Sequence, residues 1–107
     1  MSSKGRVLAV CTSERKGIRK RDVGAAELRP DWGIVGDAHA ADWHRQVSLL
    51  AWESIEKMRA LGLNVNTGSF AENITTEGLN LVELPVGTHL RLVAGTEPEV
   101  ATRLEAR

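Results

Sequence analysis

The sequence predicts a mostly-β chain, a small barrel or sandwich with one or two short helices. Three observations predict it. Short apolar runs containing β-branched residues recur along the 107 residues. Ten glycines punctuate them, beside turn signals such as Arg29-Pro30-Asp31 and Gly95-Thr96-Glu97-Pro98. A single stretch, Trp52 to Leu61, repeats its apolar residues at helical spacing.

Arg6 to Val10 reads as the first strand, and Thr12 to Arg21, polar and containing Gly17, as a loop. Val23 to Leu28 reads as a second strand. In Asp31-Trp32-Gly33-Ile34-Val35-Gly36-Asp37, two glycines three apart predict a tight, bent backbone. It lacks the three glycines of a dinucleotide fingerprint. Arg45 to Leu50 reads as a strand with Val47 and Leu49 on one face. The helix follows, with Trp52, Ile55, Met58 and Leu61 as a core-packing stripe, a Glu53–Lys57 pair and Gly62 as its C-terminal stop. Gly68 to Gly78 reads as an extended segment between glycine turns. His89 to Val93 alternates polar and apolar residues, as a half-buried strand does. Glu99 to Arg107 reads as a short helix or strand.

Length bounds the chain to one domain, 1–107. A hydrophobic fraction of 42% and a charged fraction of 26% argue against wholesale disorder. No run nears the ~18 apolar residues of a membrane-spanning helix. Val7 to Cys11 is too short for a signal-peptide core, so the expected compartment is cytoplasmic. The single cysteine, Cys11, excludes an intramolecular disulfide and a multi-cysteine zinc site. Net charge is zero but uneven: seven basic residues stand against one acidic in residues 1–21, and 7 against 13 in the remainder. Such confinement suits a local anion site, or a solvated basic loop, better than a nucleic-acid track.

Four polar residues, Asp37, His39, Asp42 and His44, lie within eight positions. Carboxylate beside imidazole suits proton transfer or metal ligation, although the spacing is not that of a helix-borne zinc motif. The bland alternative is a turn histidine facing solvent. Arg45-Gln46 could grip a phosphate, carboxylate or pterin edge. Glu72 and Asn73 should point to opposite faces of an extended strand unless the backbone bulges. Cys11, after a strand, reads as a small buried hydrophobe unless nearby Arg15 and Lys16 lower its pKa.

The phrases Gly33-Ile-Val-Gly-Asp-Ala-His39, Arg45-Gln-Val-Ser-Leu-Leu50, Gly68-Ser-Phe-Ala-Glu-Asn-Ile74, Thr76-Glu-Gly-Leu79 and Leu84-Pro-Val-Gly87 occur in an order and spacing that resemble the MOSC family. This family takes its name from the C-terminal domain of molybdenum cofactor sulfurases, and the chain is similar to its small, free-standing bacterial members. The resemblance implies a mostly-β barrel of the pyruvate-kinase-barrel type. It implies molybdenum cofactor chemistry, either sulfur transfer to the metal or reduction of N-hydroxylated compounds. The family's pyridoxal phosphate label belongs mainly to a separate desulfurase domain. By this resemblance Asp37 and His39 are the candidate catalytic residues. Lys16, Arg19, Lys20, Gly36, Arg45, Gln46, Glu72 and Asn73 are the candidate cofactor-binding residues, and no structural metal is expected.

Two departures stand out. Family members typically carry a cysteine in the C-terminal third, the soft ligand that molybdenum–sulfur chemistry calls for. No cysteine follows Cys11. Small members also continue beyond the strand matching His89–Val93, so the resemblance implies a domain without its closing segment. The leading expectation is a domain that binds an oxyanion or pterin phosphate weakly without transferring sulfur. Alternatives are an enzyme completed by a partner chain, and an interaction domain pairing through an open barrel edge as a homodimer or with another protein. An oligonucleotide-binding barrel would need stacking aromatics, which three Trp and one Phe supply thinly. The partner expected is a small-molecule or pterin-type ligand, with neither nucleic acid nor membrane.

Overall fold

A computed structural model describes residues 4–43 and 46–92 and the backbone of residues 103–105. The elements run β1 (Arg6–Thr12), β2 (Arg21–Asp22), β3 (Ala25–Arg29), β4 (Gly33–Ile34), β5 (Leu49–Ala51), α1 (Trp52–Ala60), β6 (Ile74–Glu77), a 3-10 turn (Leu81–Glu83) and β7 (Arg103–Glu105). The mostly-β expectation with one α-helix holds.

The strands form two sheets, ordered β2-β1-β6-β5 and β4-β3-β7. No ladder among the described residues joins them into a closed barrel. The first sheet is built on β1, which runs antiparallel to both β2 and β6. A register shift between Val7 and Ala9 bulges the β1–β6 ladder, which bends the strand. Strand β5 lies parallel to β6, with Leu49 opposite Ile74 and Ala51 opposite Thr76. Parallel neighbours need a crossover, and α1 provides it.

The core lies where the sheets face each other. Val10 and Ile74 of the first sheet meet Ala26 and Ile34 of the second, with Val7, Leu28, Val47, Leu49 and Leu92 packed around them. Each fully buried Val or Ile contributes about 1.5–3 kcal/mol through removal of apolar surface from water. The expected shared face of Val47 and Leu49 therefore packs as anticipated.

Several boundaries differ from the sequence reading. Strand β1 continues to Thr12, and the strand expected over Val23–Leu28 spans Ala25–Arg29. The strand expected over Arg45–Leu50 shrinks to Leu49–Ala51, with Arg45 outside the described residues. His89–Leu92 forms no regular strand: Leu92 packs on the core, but Leu90 is exposed, so the alternation does not mark one buried face. Val93 lies outside the described residues. Of Glu99–Arg107, residues 103–105 pair with β3 as a strand.

The helical stripe is the clearest correction. Ile55 is fully buried, whereas Met58 is exposed and Leu61 is 77% exposed. Three residues turn an α-helix about 300°, so residues repeating every third position fall back about 60° per step. From Trp52 to Leu61 that drift reaches about 180°, and the stripe winds off the core. Glu53 takes a different partner than expected. Its carboxylate accepts the Gly78 N–H at 2.8 Å, tying α1 to the turn after β6. The helix ends as expected at Gly62, with Gly62 N–H donating to the Arg59 carbonyl and Leu63 N–H to the Met58 carbonyl.

Candidate functional site

The most polar part of the interior gathers at the loops leaving β1 and β4. Ser13 follows β1, Lys20 precedes β2, and Asp37 follows a turn that Gly36 makes at φ +89°. A Cβ at Gly36 would meet open space, so its positive φ alone favours glycine there. Two links set the loop positions: Asp37 N–H donates to the Ile34 carbonyl, and Ala38 N–H to the Ser13 carbonyl.

Lys20 and Asp37 form an ion pair of 2.7 Å, with both side chains wholly buried. The Lys20 ammonium also reaches the Ser13 hydroxyl at 3.0 Å and His39 Nδ1 at 3.0 Å. Asp37 Oδ1 accepts the Ser13 N–H at 3.0 Å, and Oδ2 accepts the His39 N–H at 3.1 Å. Burial pushes the Asp37 pKa upward. Hydrogen bonds from Lys20, the Asn73 side chain and the Ser13 and His39 backbone outweigh it and hold the carboxyl below its ordinary value. The buried pair is thus an anion and a cation, each with several partners, as burial of charge requires.

His39 connects this pair to the surface. Its side chain is 24% exposed. Burial, then the Lys20 ammonium, and Lys16 to a lesser degree, hold its pKa below the ordinary 6.5 against the opposing pull of Asp37. These influences favour the neutral ring. Trp43 lies nearly parallel to it, with centroids 6.2 Å apart and planes 8° apart. The Trp43 indole N–H donates to the His39 carbonyl at 2.7 Å. Lys16 Nζ sits 4.1 Å from the Trp43 ring centroid, within cation–π range. The result is a rim of cation, indole and imidazole backed by a buried ion pair.

Glu72 and Asn73 are both buried and take different partners, but they lie just before β6 rather than in an extended strand, so the turn geometry and not strand alternation separates them. Glu72 caps the preceding turn, accepting Gly68 N–H at 2.8 Å, Phe70 N–H at 3.2 Å and the Thr75 hydroxyl at 2.8 Å. Asn73 ties strands together: Oδ1 accepts the Ser48 N–H at 3.1 Å, and Nδ2 donates to the Cys11 carbonyl at 3.1 Å. Glu72 thus supports the loop that carries Gly68, and Asn73 supports Asp37.

Cys11 is the buried hydrophobe that its position suggested. Burial first, then Asp22 and Glu72, push its thiol up to about 12. In native protein at pH 8 an alkylating reagent should leave Cys11 unmodified for hours, and denaturant should expose it within minutes; rapid labelling of folded protein would contradict this burial. The folded thiol holds its proton more tightly than the unfolded one, so its contribution is complete below about pH 9 and fades as pH climbs toward 12.

The remaining candidates lie apart or outside the described residues. Arg19 is exposed and donates to the Asn64 carbonyl at 3.4 Å. Lys20, expected in a basic loop facing a ligand, is instead sealed behind His39, because Asp37 compensates its charge inside. Gln46 approaches β4, where its carbonyl oxygen would lie 2.8 Å from a Cβ at Gly33. Asp42 is exposed, and His44 and Arg45 lie outside the described residues. Among the described residues no group of three His, Cys, Asp or Glu side chains is arranged to hold a metal ion, and no helix is long and apolar enough to cross a membrane. Sequence reasoning missed Ser13 and Trp43 as members of the cluster. Trp43, four residues after His39, carried the available signal. No family model, curated protein or solved structure matches the chain.

Proposed function

We propose that the chain is a MOSC-type binding domain whose rim of Lys16, Trp43 and His39 takes a planar, anionic ligand of the pterin-phosphate class. The observation that carries this reading is the layered rim over the buried Lys20–Asp37 pair. Lys16 is exposed on a flexible stem, so its ammonium can turn from the indole to a phosphate oxygen. Trp43 offers an aromatic surface to a flat heterocycle. His39, neutral and held in place, orients the ligand's polar edge.

The two ends of a molybdenum cofactor fit this chain unequally. Its phosphate and pterin fit the cation and the aromatic rim. Its metal–sulfur end calls for a soft thiolate, and Cys11 is buried and protonated. Binding is therefore the role of these residues, and the buried, protonated Cys11 thiol is not the group for sulfur transfer. In the proposed reading the two sheets form the wall of a barrel of the family type.

Co-expression with a molybdenum cofactor pathway, followed by assay of bound pterin and metal, tests the reading. Retained pterin phosphate should fall about tenfold in Lys16→Ala, as expected for losing one charge-assisted contact. Wild-type protein purified without pterin, or retention unchanged in both Lys16→Ala and His39→Ala, would overturn it.

A further inference from the structure

The hydrogen count at the buried ammonium determines the protonation of His39. An ammonium has three N–H donors and no acceptor. Lys20 Nζ has three neighbours at hydrogen-bond distance: Asp37 Oδ1 at 2.7 Å, Ser13 Oγ at 3.0 Å and His39 Nδ1 at 3.0 Å. The Asp37 carboxylate can only accept. The Ser13 hydroxyl spends its own hydrogen on the Arg15 carbonyl at 2.9 Å, which leaves its oxygen lone pair for Lys20. The third hydrogen points at Nδ1, which must then be bare. Asp37 Oδ2 lies 3.8 Å from Nδ1, too far to draw a hydrogen onto that nitrogen. A neutral imidazole carries one N–H, so it sits on Nε2.

Resting on the anion-site reading above, we infer that Lys20 is a positioning residue that holds His39 as its Nε2–H tautomer, so that the rim presents a hydrogen-bond donor suited to a phosphate monoester oxygen. An Nε2 that already carries hydrogen does not ligate a metal, and a further proton can enter only at Nδ1, forming imidazolium. Imidazolium would aim Nδ1–H at the Lys20 ammonium, with Lys16 adding to the repulsion and Asp37 opposing it. The same contact that silences His39 as a base therefore makes it a donor. This also separates its role from Asp37, which acts through Lys20 and the His39 N–H.

Long-range nitrogen–proton NMR on uniformly labelled protein at pH 7 reads the tautomer directly, with His39→Gln identifying the resonance. The expected pattern is a protonated Nε2 and an unprotonated Nδ1. A protonated Nδ1 overturns the inference, whatever phosphate does at Lys16. The double variant Lys20→Met/Asp37→Leu removes the donor without stranding a buried charge. Its ring should lose the strict Nε2–H preference, and retention of the wild-type pattern would show that Lys20 is not the cause. Inorganic phosphate then tests the ligand reading separately. It should shift the wild-type Nε2–H resonance, bind about tenfold more weakly to His39→Ala, and recover in the donor-bearing His39→Gln. An Nε2–H ring that ignores phosphate overturns the anion-site reading and leaves the tautomer standing.

Discussion

Lys20→Met is expected to lower the free energy of unfolding by about 3–5 kcal/mol, because it leaves the Asp37 carboxylate buried without its cation. The wild-type ion pair itself adds little net stability, since bringing two charges out of water offsets most of their attraction. The loss comes from breaking the pair. Lys20→Met/Asp37→Leu should therefore recover most of it, and urea denaturation of the two variants gives the comparison. A single variant within about 1 kcal/mol of wild type would mean that Asp37 is neither charged nor buried as described. The acid side supplies a second reading. Asp37 is held below its ordinary 3.8, so the folded state binds this proton less readily than the unfolded one. Its contribution is complete above about pH 4 and is lost as pH falls through the lowered value. In Lys20→Met the largest lowering contact is gone while burial remains. Asp37 should then titrate higher, and stability should begin to rise on acidification where wild type still holds level.

Gly68→Ala is expected to cost about 3 kcal/mol, from two causes at one position. The backbone of Gly68 sits at φ +81°, which an L side chain rarely adopts. A Cβ would also overlap the Lys20 carbonyl, with the Lys20 carbonyl carbon only 2.8 Å away. Both partners are backbone, so neither gives by changing rotamer, and Lys20 N–H already donates to the Gly68 carbonyl at 2.8 Å. Gly36→Ala provides the comparison. It shares a positive φ but faces open space, so it should cost only about 1 kcal/mol. Equal melting temperatures for the two variants would mean that the close approach to Lys20 contributes nothing.

The elements visible in the sequence are those whose own side chains decide them. Arg6–Val10 carries its apolar residues in one run, and Gly62 ends a helix by backbone geometry alone. Val47 and Leu49 both pack on the core, so the sequence predicts a longer strand than β5, whose regular pairing starts only at Leu49. Its parallel partnership with β6 depends on contacts across the chain that no local pattern encodes. The site divides along the same line. Asp37 and His39 are two residues apart, and their association was legible. Lysines are rarely buried, so the sequence places Lys20 in a basic surface loop, and only tertiary pairing with Asp37 reverses that preference. Ser13 completes the ammonium's contacts from a different loop, so its part was invisible before folding.

The pairing of β1 also shapes how the chain reaches its fold. Val10 pairs with Ile74 and Arg6 with Glu77, so a strand near the beginning of the chain waits for one more than sixty positions later. During synthesis at about 5–20 residues per second, that interval lasts roughly 3–13 s. Throughout it Ala9, Val10 and Cys11, fully covered in the finished molecule, have no β6 to lie against. The nascent chain thus presents a sticky apolar ribbon for seconds, which is where a holdase chaperone would find its grip and where crowded expression would favour aggregation. Closing so long a loop also places the β1–β6 ladder among the slower steps of folding.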